Sequence, residues 1–122
     1  MKRILLAEDE DVLRMLIVDT LEDEDYVVDE APDGEEALQL IAKNDYDLLI
    51  LDYMMPIMTG LEVIQKVRAD EEKKHLKIMM LSAKNQTNEQ NHILEAGADY
   101  FMAKPFSPLA LLDKVGDILD ED

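Results

Sequence analysis

Short apolar runs punctuate the chain: ILLA (4–7), YVV (26–28), LLIL (48–51), IMML (78–81) and YFM (100–102). Three of them are unbroken apolar fours, which suits strands covered on both faces of a parallel sheet. Between the runs, apolar residues recur at helical spacing. Leu13, Leu16, Ile17 and Leu21 make one stripe, and Ala37, Leu38, Ile41 and Ala42 a second. Leu61, Ile64 and Val67 make a third, and Leu111, Leu112, Val115 and Leu119 a last one. Asp33 with Glu36, Thr59 with Glu62, and Thr87 with Gln90 have capping-box spacing. Ser107-Pro108 fits an N-cap followed by proline at the first helical position. Gly97 sits where a helix should stop before the last strand.

Strand and helix therefore alternate as βαβαβαβαβα. Right-handed crossovers turn that order into an open parallel sheet with helices on both faces. In such folds ligands sit beyond the carboxyl ends of the strands, where the strand order reverses. The residues that follow the apolar runs are thereby brought to one edge. Glu8 and Asp9 follow the first run, Asp52 the third, Ser82 the fourth, and Lys104 and Pro105 the fifth. Asp29 and Glu30, with the Pro-Asp-Gly after them, read as an ordinary turn.

Composition narrows the chemistry. With 122 residues the chain has the size of one domain, and 48% apolar content with 5% aromatic gives an aliphatic core. There is no cysteine, so disulfides, thiolate nucleophiles and cysteine-ligated zinc are excluded. His75 and His92 have no metal-ligand spacing and are expected at the surface. MKRILLA begins like a signal peptide, but acids follow its short apolar run at once, and no run approaches a membrane span. An intracellular, cytoplasmic protein is expected. The formal net charge of −17 opposes direct nucleic-acid binding and an anionic membrane surface.

Part of that acidity calls for a cation. Carboxylates brought close together raise one another's pKa values unless positive charge balances them. A set of oxygen donors without nitrogen or sulfur suits Mg2+, with Mn2+ as an alternative occupant. Lys104 adds a mobile positive charge and Ser82 a hydroxyl. Together they could hold a phosphoryl group around one nucleophilic carboxylate. Taken singly, each residue has a plainer reading: a cap or turn aspartate, a loop serine, a solvated lysine. Agreement among four strand ends is what those readings do not explain.

With these motifs the chain resembles the receiver domain of bacterial two-component response regulators over essentially its whole length, in particular the single-domain chemotaxis regulators. LLAEDE resembles the family's acidic pair, LDYMMPIMTG its phosphorylation motif, MLSAK its fourth-strand Ser/Thr, and GADYFMAKPF its fifth-strand Lys-Pro. The resemblance implies a flavodoxin-like sheet of order 2-1-3-4-5 flanked by five helices. It implies that Asp52 takes a phosphoryl group from the phosphohistidine of a sensor histidine kinase or phosphotransfer protein. Asp9, Asp52 and the backbone carbonyl of Met54 would ligate Mg2+, with Glu8 acting through metal-bound water. Lys104 would pair with the phosphoryl oxygens. Ser82 would swing toward the phosphoryl group while Phe101 turns into the vacated space, and the Lys104–Pro105 bond could be cis. Such a molecule is a phosphorylatable switch read by a protein effector through the face formed by its last strand and last two helices, and not an enzyme in its own right.

Departures from the family sharpen further expectations. Phe101 lacks the hydroxyl that a tyrosine would bring to the switch position. Tyr100 stands where many relatives carry Asp. Leu109 and Ala110 replace charges typical of the DNA-binding subfamily. With Tyr100 they mark a more apolar output face, and a monomer is expected. Met15 and Val18 lie off the first helix's core stripe and are candidate kinase-docking residues. A stand-alone single domain spanning 1–122 is expected, with a receiver from a longer regulator as the alternative. A dehalogenase-type phosphotransferase would need a second Asp where Met54 stands. A flavin carrier would need a phosphate loop where the chain is acidic.

Overall fold

A computed structural model describes residues 1–83 and 87–120, and side chains outside 84–89. The elements are β1 (Arg3–Ala7), α1 (Asp11–Glu22), β2 (Val27–Ala31), α2 (Gly34–Lys43), β3 (Leu48–Asp52), α3 (Gly60–Ala69), β4 (Ile78–Ser82), α4 (Thr87–Glu95), β5 (Tyr100–Ala103) and α5 (Pro108–Leu119). All strand pairs are parallel, and the sheet runs β2-β1-β3-β4-β5. This is the expected doubly wound order, with its reversal between β1 and β3.

The apolar runs become strands because each has a helical layer on both sides. Leu5, Ala7, Leu49, Leu51, Ile78 and Met80 face one layer and pack with Ala37, Ile41, Val63, Ile64, Val67 and Ile93 of α2, α3 and α4. Ile4, Leu6, Leu48, Ile50, Met79 and Leu81 face the other and pack with residues of α1 and α5. The alternation along each strand is the pleat itself. β3 and β4 are buried at every position, as their unbroken apolar sequence requires.

Caps fall where the sequence places them. Asp33 accepts a hydrogen bond from the Glu36 backbone N–H at 2.9 Å, and Thr59 accepts one from Glu62 at 3.3 Å. Ser107 accepts from Ala110 at 3.0 Å, with Pro108 opening α5. Gly97 has φ of +121° between α4 and β5, a conformation that favours glycine. The Thr87–Gln90 capping box lies outside the described residues.

The helix faces need correction in detail. In α1 the buried residues are Ile17, Val18 and Leu21, while Leu16 is 45% exposed. Val18 is therefore core, not docking surface. Because α1 packs on α5 as well as on the sheet, the covered arc is rotated from the expected stripe to include Val18. Ala42 is exposed on α2, and Val63 and Ile118 join the buried sides of α3 and α5.

Candidate phosphoryl site

The carboxyl ends of β1, β3, β4 and β5 share one edge, and the predicted side chains meet there. Glu8, Asp52 and Ser82 are the buried polar residues among those described, with exposures of 0%, 5% and 1%. Lys104 Nζ donates to Glu8 Oε1 at 2.8 Å and to Asp52 Oδ1 at 3.1 Å. Asp9 is exposed at the rim. Carboxylate oxygens of Glu8, Asp9 and Asp52 all lie within 4.8 Å of one another. This hard-oxygen set fits a divalent cation such as Mg2+.

Glu8 is held from both ends. Its Oε2 accepts from the Glu10 N–H at 3.2 Å, while its Oε1 takes Lys104. The Glu8 carbonyl accepts from Arg14 Nη1 at 2.8 Å, and Arg14 also pairs with Asp11 and Glu30. Arg14 thus pins the loop that carries the acidic pair to α1. The hydrophobic pattern carries no sign of this, because an arginine on an amphipathic helix ordinarily points to solvent.

Electrostatics single out Asp52. Burial raises its pKa to about 7, the nearby Glu8 charge pushes the same way, and Lys104 only partly opposes the rise. Burial tends to lower the Lys104 pKa. The hydrogen bond to Glu8 and the charges of both carboxylates outweigh this and raise it. The two shifts are compatible: the lysine stays charged, but one cation does not balance two buried carboxylates.

The loop after Asp52 is anchored through backbone contacts. Tyr53 N–H donates to the Leu81 carbonyl at 2.8 Å, and Gly60 N–H to the Tyr53 carbonyl at 3.0 Å. A Cβ at Gly60 would stand 2.5 Å from the Asp52 carbonyl oxygen, so only glycine lets α3 begin this close to the strand end. Met55 is buried, whereas Met54 is 65% exposed beside the site. Ile57 is exposed with φ of +71°, an unusual conformation for a β-branched residue.

Other predicted residues take the following places. Ser82 ends β4 opposite Ala103, and its carbonyl accepts from Lys104 N–H at 2.7 Å. The Lys104–Pro105 bond is cis. Phe101 is half-buried against the α2–α4 side of the core, and Tyr100 lies on the opposite side of the sheet with Lys114 Nζ 5.7 Å from its ring centroid. Met15 is 62% exposed, as expected, and forms a surface stripe with Val12 and Leu16. Leu109 and Ala110 are exposed on α5, but Leu109 faces Tyr26 rather than Tyr100. His75 and His92 are both at the surface. A groove of about 490 Å³ lined by Glu10, Leu13, Ala83, Lys104, Pro105 and Phe106 opens beside the site.

Known proteins resemble this chain in sequence and fold. The response regulator receiver domain matches residues 4–116. The chain is 40% identical over 117 residues to the transcriptional regulatory protein ResD of Bacillus subtilis, covering 96% of this chain and 48% of ResD. It thus spans about half the length of that relative. Among solved structures, the chemotaxis response regulator CheY4 of Vibrio cholerae superposes with a TM-score of 0.93 at 34% identity, covering 98% of this chain and 99% of CheY4. The response regulator TrrA of Thermotoga maritima, solved in complex with Mg2+-BeF, has a TM-score of 0.85 at 39% identity, covering 98% of this chain and all of TrrA (100%). Among the described residues no helix is long and apolar enough to cross a membrane. With the acidic pair, the buried aspartate and the lysine on one sheet edge, the chain belongs to the response regulator receiver domain family.

Proposed function

We propose that this chain is a phosphorylatable switch in which Asp52 accepts the phosphoryl group. The observation that carries the reading is the bridge from Lys104 to both Asp52 and Glu8, at 3.1 and 2.8 Å, with Asp9 beside them. An Asp52 oxygen attacks phosphorus in line. The new O–P bond forms as the donor's N–P bond breaks, and the imidazole nitrogen leaves with the electron pair. Lys104 can move from the carboxylates to the incoming phosphoryl oxygens without leaving the site. Ser82, at the neighbouring strand end, supplies a hydroxyl for another oxygen.

Asp9, Asp52 and the Met54 carbonyl would hold Mg2+, which supplies charge neutralisation of the phosphoryl oxygens when bound. Both Glu8 oxygens are already engaged, which favours a role through metal-bound water over direct ligation. Phe101, adjacent to Met80 in register, is the aromatic whose repacking would report the change to the α4-β5-α5 face. The donor is a sensor histidine kinase or phosphotransfer protein in the cytoplasm. Its docking surface is the stripe Val12, Met15 and Leu16 beside the site.

The test is incubation with acetyl phosphate and Mg2+, followed by intact mass. A single phosphoryl adduct, absent in Asp52→Asn, is the expected result. No adduct on the wild type overturns the assignment.

A second reading concerns what the switch drives. ResD is a transcriptional regulatory protein about twice as long as the matched region, so a receiver joined to an output domain is the alternative to a stand-alone domain spanning 1–122 that acts as a monomer. Exposed Ala110, in place of a charge, favours a protein effector. The size of the native protein on an immunoblot separates the two.

A further inference from the structure

α5 has two solvent-facing sides. One carries Lys114 over the Tyr100 ring, on the side proposed above as the output face. The other carries Leu109, Leu112, Asp113 and Gly116, spaced as one helical face. Together with Glu24 and Tyr26, in the turn between α1 and β2, these residues line a groove of about 290 Å³. Leu109 is 68% exposed at its edge.

Gly116 is the unexplained residue. It lies inside α5, where glycine is the poorest ordinary helix former, and a Cβ built there would meet nothing within 4 Å. Packing within this fold therefore does not require it. Bare backbone at the floor of a groove is what a closely approaching partner uses.

Charge identifies the kind of partner. Glu24 and Asp113 line the groove, and Asp120 is near enough to help raise the Tyr26 pKa, after burial. Glu22, Asp23 and Asp25 are exposed alongside. No ion pair among the described residues engages Glu24, Asp113, Asp117 or Asp120. A second copy of this chain would set one acidic rim against another at a net charge of −17 each. Nucleic acid and anionic membrane are opposed for the same reason.

We propose that the α5–β2 groove docks a basic amphipathic segment of another protein. An apolar side chain sits between Leu109, Leu112 and Tyr26 against the Gly116 backbone, and flanking Lys or Arg residues meet Glu24 and Asp113. This surface is separate from the phosphoryl site and from the Tyr100–Lys114 side of α5, so it can be occupied in either phosphorylation state.

The probe is a synthetic amphipathic helix of roughly eighteen residues built from Leu and Lys, titrated into 15N-labelled protein. Amide shifts should concentrate at Tyr26, Leu112 and Gly116. Gly116→Gln should raise thermal stability yet weaken binding ~10-fold, because it fills the floor of the groove. Glu24→Lys with Asp113→Lys should also weaken binding ~10-fold, whereas Glu35→Lys with Glu71→Lys, the same charge change elsewhere, should leave it within about twofold. Replacing the peptide's Leu by Ser should abolish the shifts. Shifts spread over other acidic faces, equal losses for both charge pairs, or unchanged binding in Gly116→Gln would overturn the proposal. So would a self-dimer in sedimentation that Leu109→Asp dissolves, since it would assign the groove to a second copy.

Discussion

Lys104 Nζ stands 3.1 Å from Asp52 Oδ1, joining two strand ends that are 52 residues apart in the chain. The same ammonium group holds Glu8, which is fully buried. Removing it leaves two buried carboxylates without a cation. Lys104→Met should therefore destabilise the metal-free protein by about 2–4 kcal/mol near neutral pH. Chemical denaturation in EDTA measures this, and an unchanged midpoint would contradict the role given to Lys104. Added Mg2+ should recover more stability in the variant than in the wild type.

The raised Asp52 pKa sets a pH dependence of definite sign. Its ordinary value is 3.8 and in the folded protein it is about 7. Between those values the folded chain holds a proton that the unfolded chain has released. This stabilisation is complete below the ordinary value and is lost as pH rises through about 7. Metal-free wild type should thus lose about 2–4 kcal/mol relative to Asp52→Asn across that window. Mg2+ competes with the same proton, so its affinity should climb over the same range. Titration of the wild type and of Asp52→Asn in EDTA and in Mg2+ measures both, and parallel curves would contradict the assignment.

Gly60 tests whether the start of α3 positions Asp52. With a Cβ only 2.5 Å from the Asp52 carbonyl, Gly60→Ala must push the strand end or the helix aside. A loss of roughly 1–3 kcal/mol is expected, as for overpacking elsewhere. Phosphorylation by acetyl phosphate should slow at the same time. Wild-type stability with wild-type phosphorylation would show that Gly60 is not needed for close approach.

The two sides of α1 should respond differently to charge. Met15→Glu with Leu16→Glu alters exposed positions. It should slow transfer from a cognate histidine kinase and leave acetyl phosphate labelling and stability nearly unchanged. Val18→Glu places a charge in the core and should cost about 3 kcal/mol or more. Equal loss with both phosphodonors in the surface variant would remove α1 from the docking surface.

Ile57 offers a gain instead of a loss. Its φ of +71° is unfavourable for a β-branched side chain that is 72% exposed and contributes little to the core. Ile57→Gly should relieve that strain and stabilise the fold by about 1 kcal/mol. A lower melting temperature in the variant would show that the side chain has a structural use.

Much of this molecule was legible in its sequence because burial and hydrogen bonding act locally. Unbroken apolar fours make strands covered on both faces, and Asp33, Thr59, Ser107 and Gly97 mark helix ends with their own side chains or backbone angles. Parallel topology then dictates which residues meet, so the order of the strands alone brings Glu8, Asp9, Asp52, Ser82 and Lys104 to one edge. Tertiary packing decided the rest. The neighbouring α5 turned Val18 inward and left Leu16 outside, a rotation that the period of α1 does not specify. Arg14 was enlisted by a carbonyl that only the fold brings near, and Gly60 by an approach of backbone to backbone. The pKa of Asp52 likewise depends on the number of charges buried around it, which is a property of the packed edge and not of LLILD. Periodicity and capping are written residue by residue, whereas helix rotation, close approach and charge balance arise only where distant segments touch.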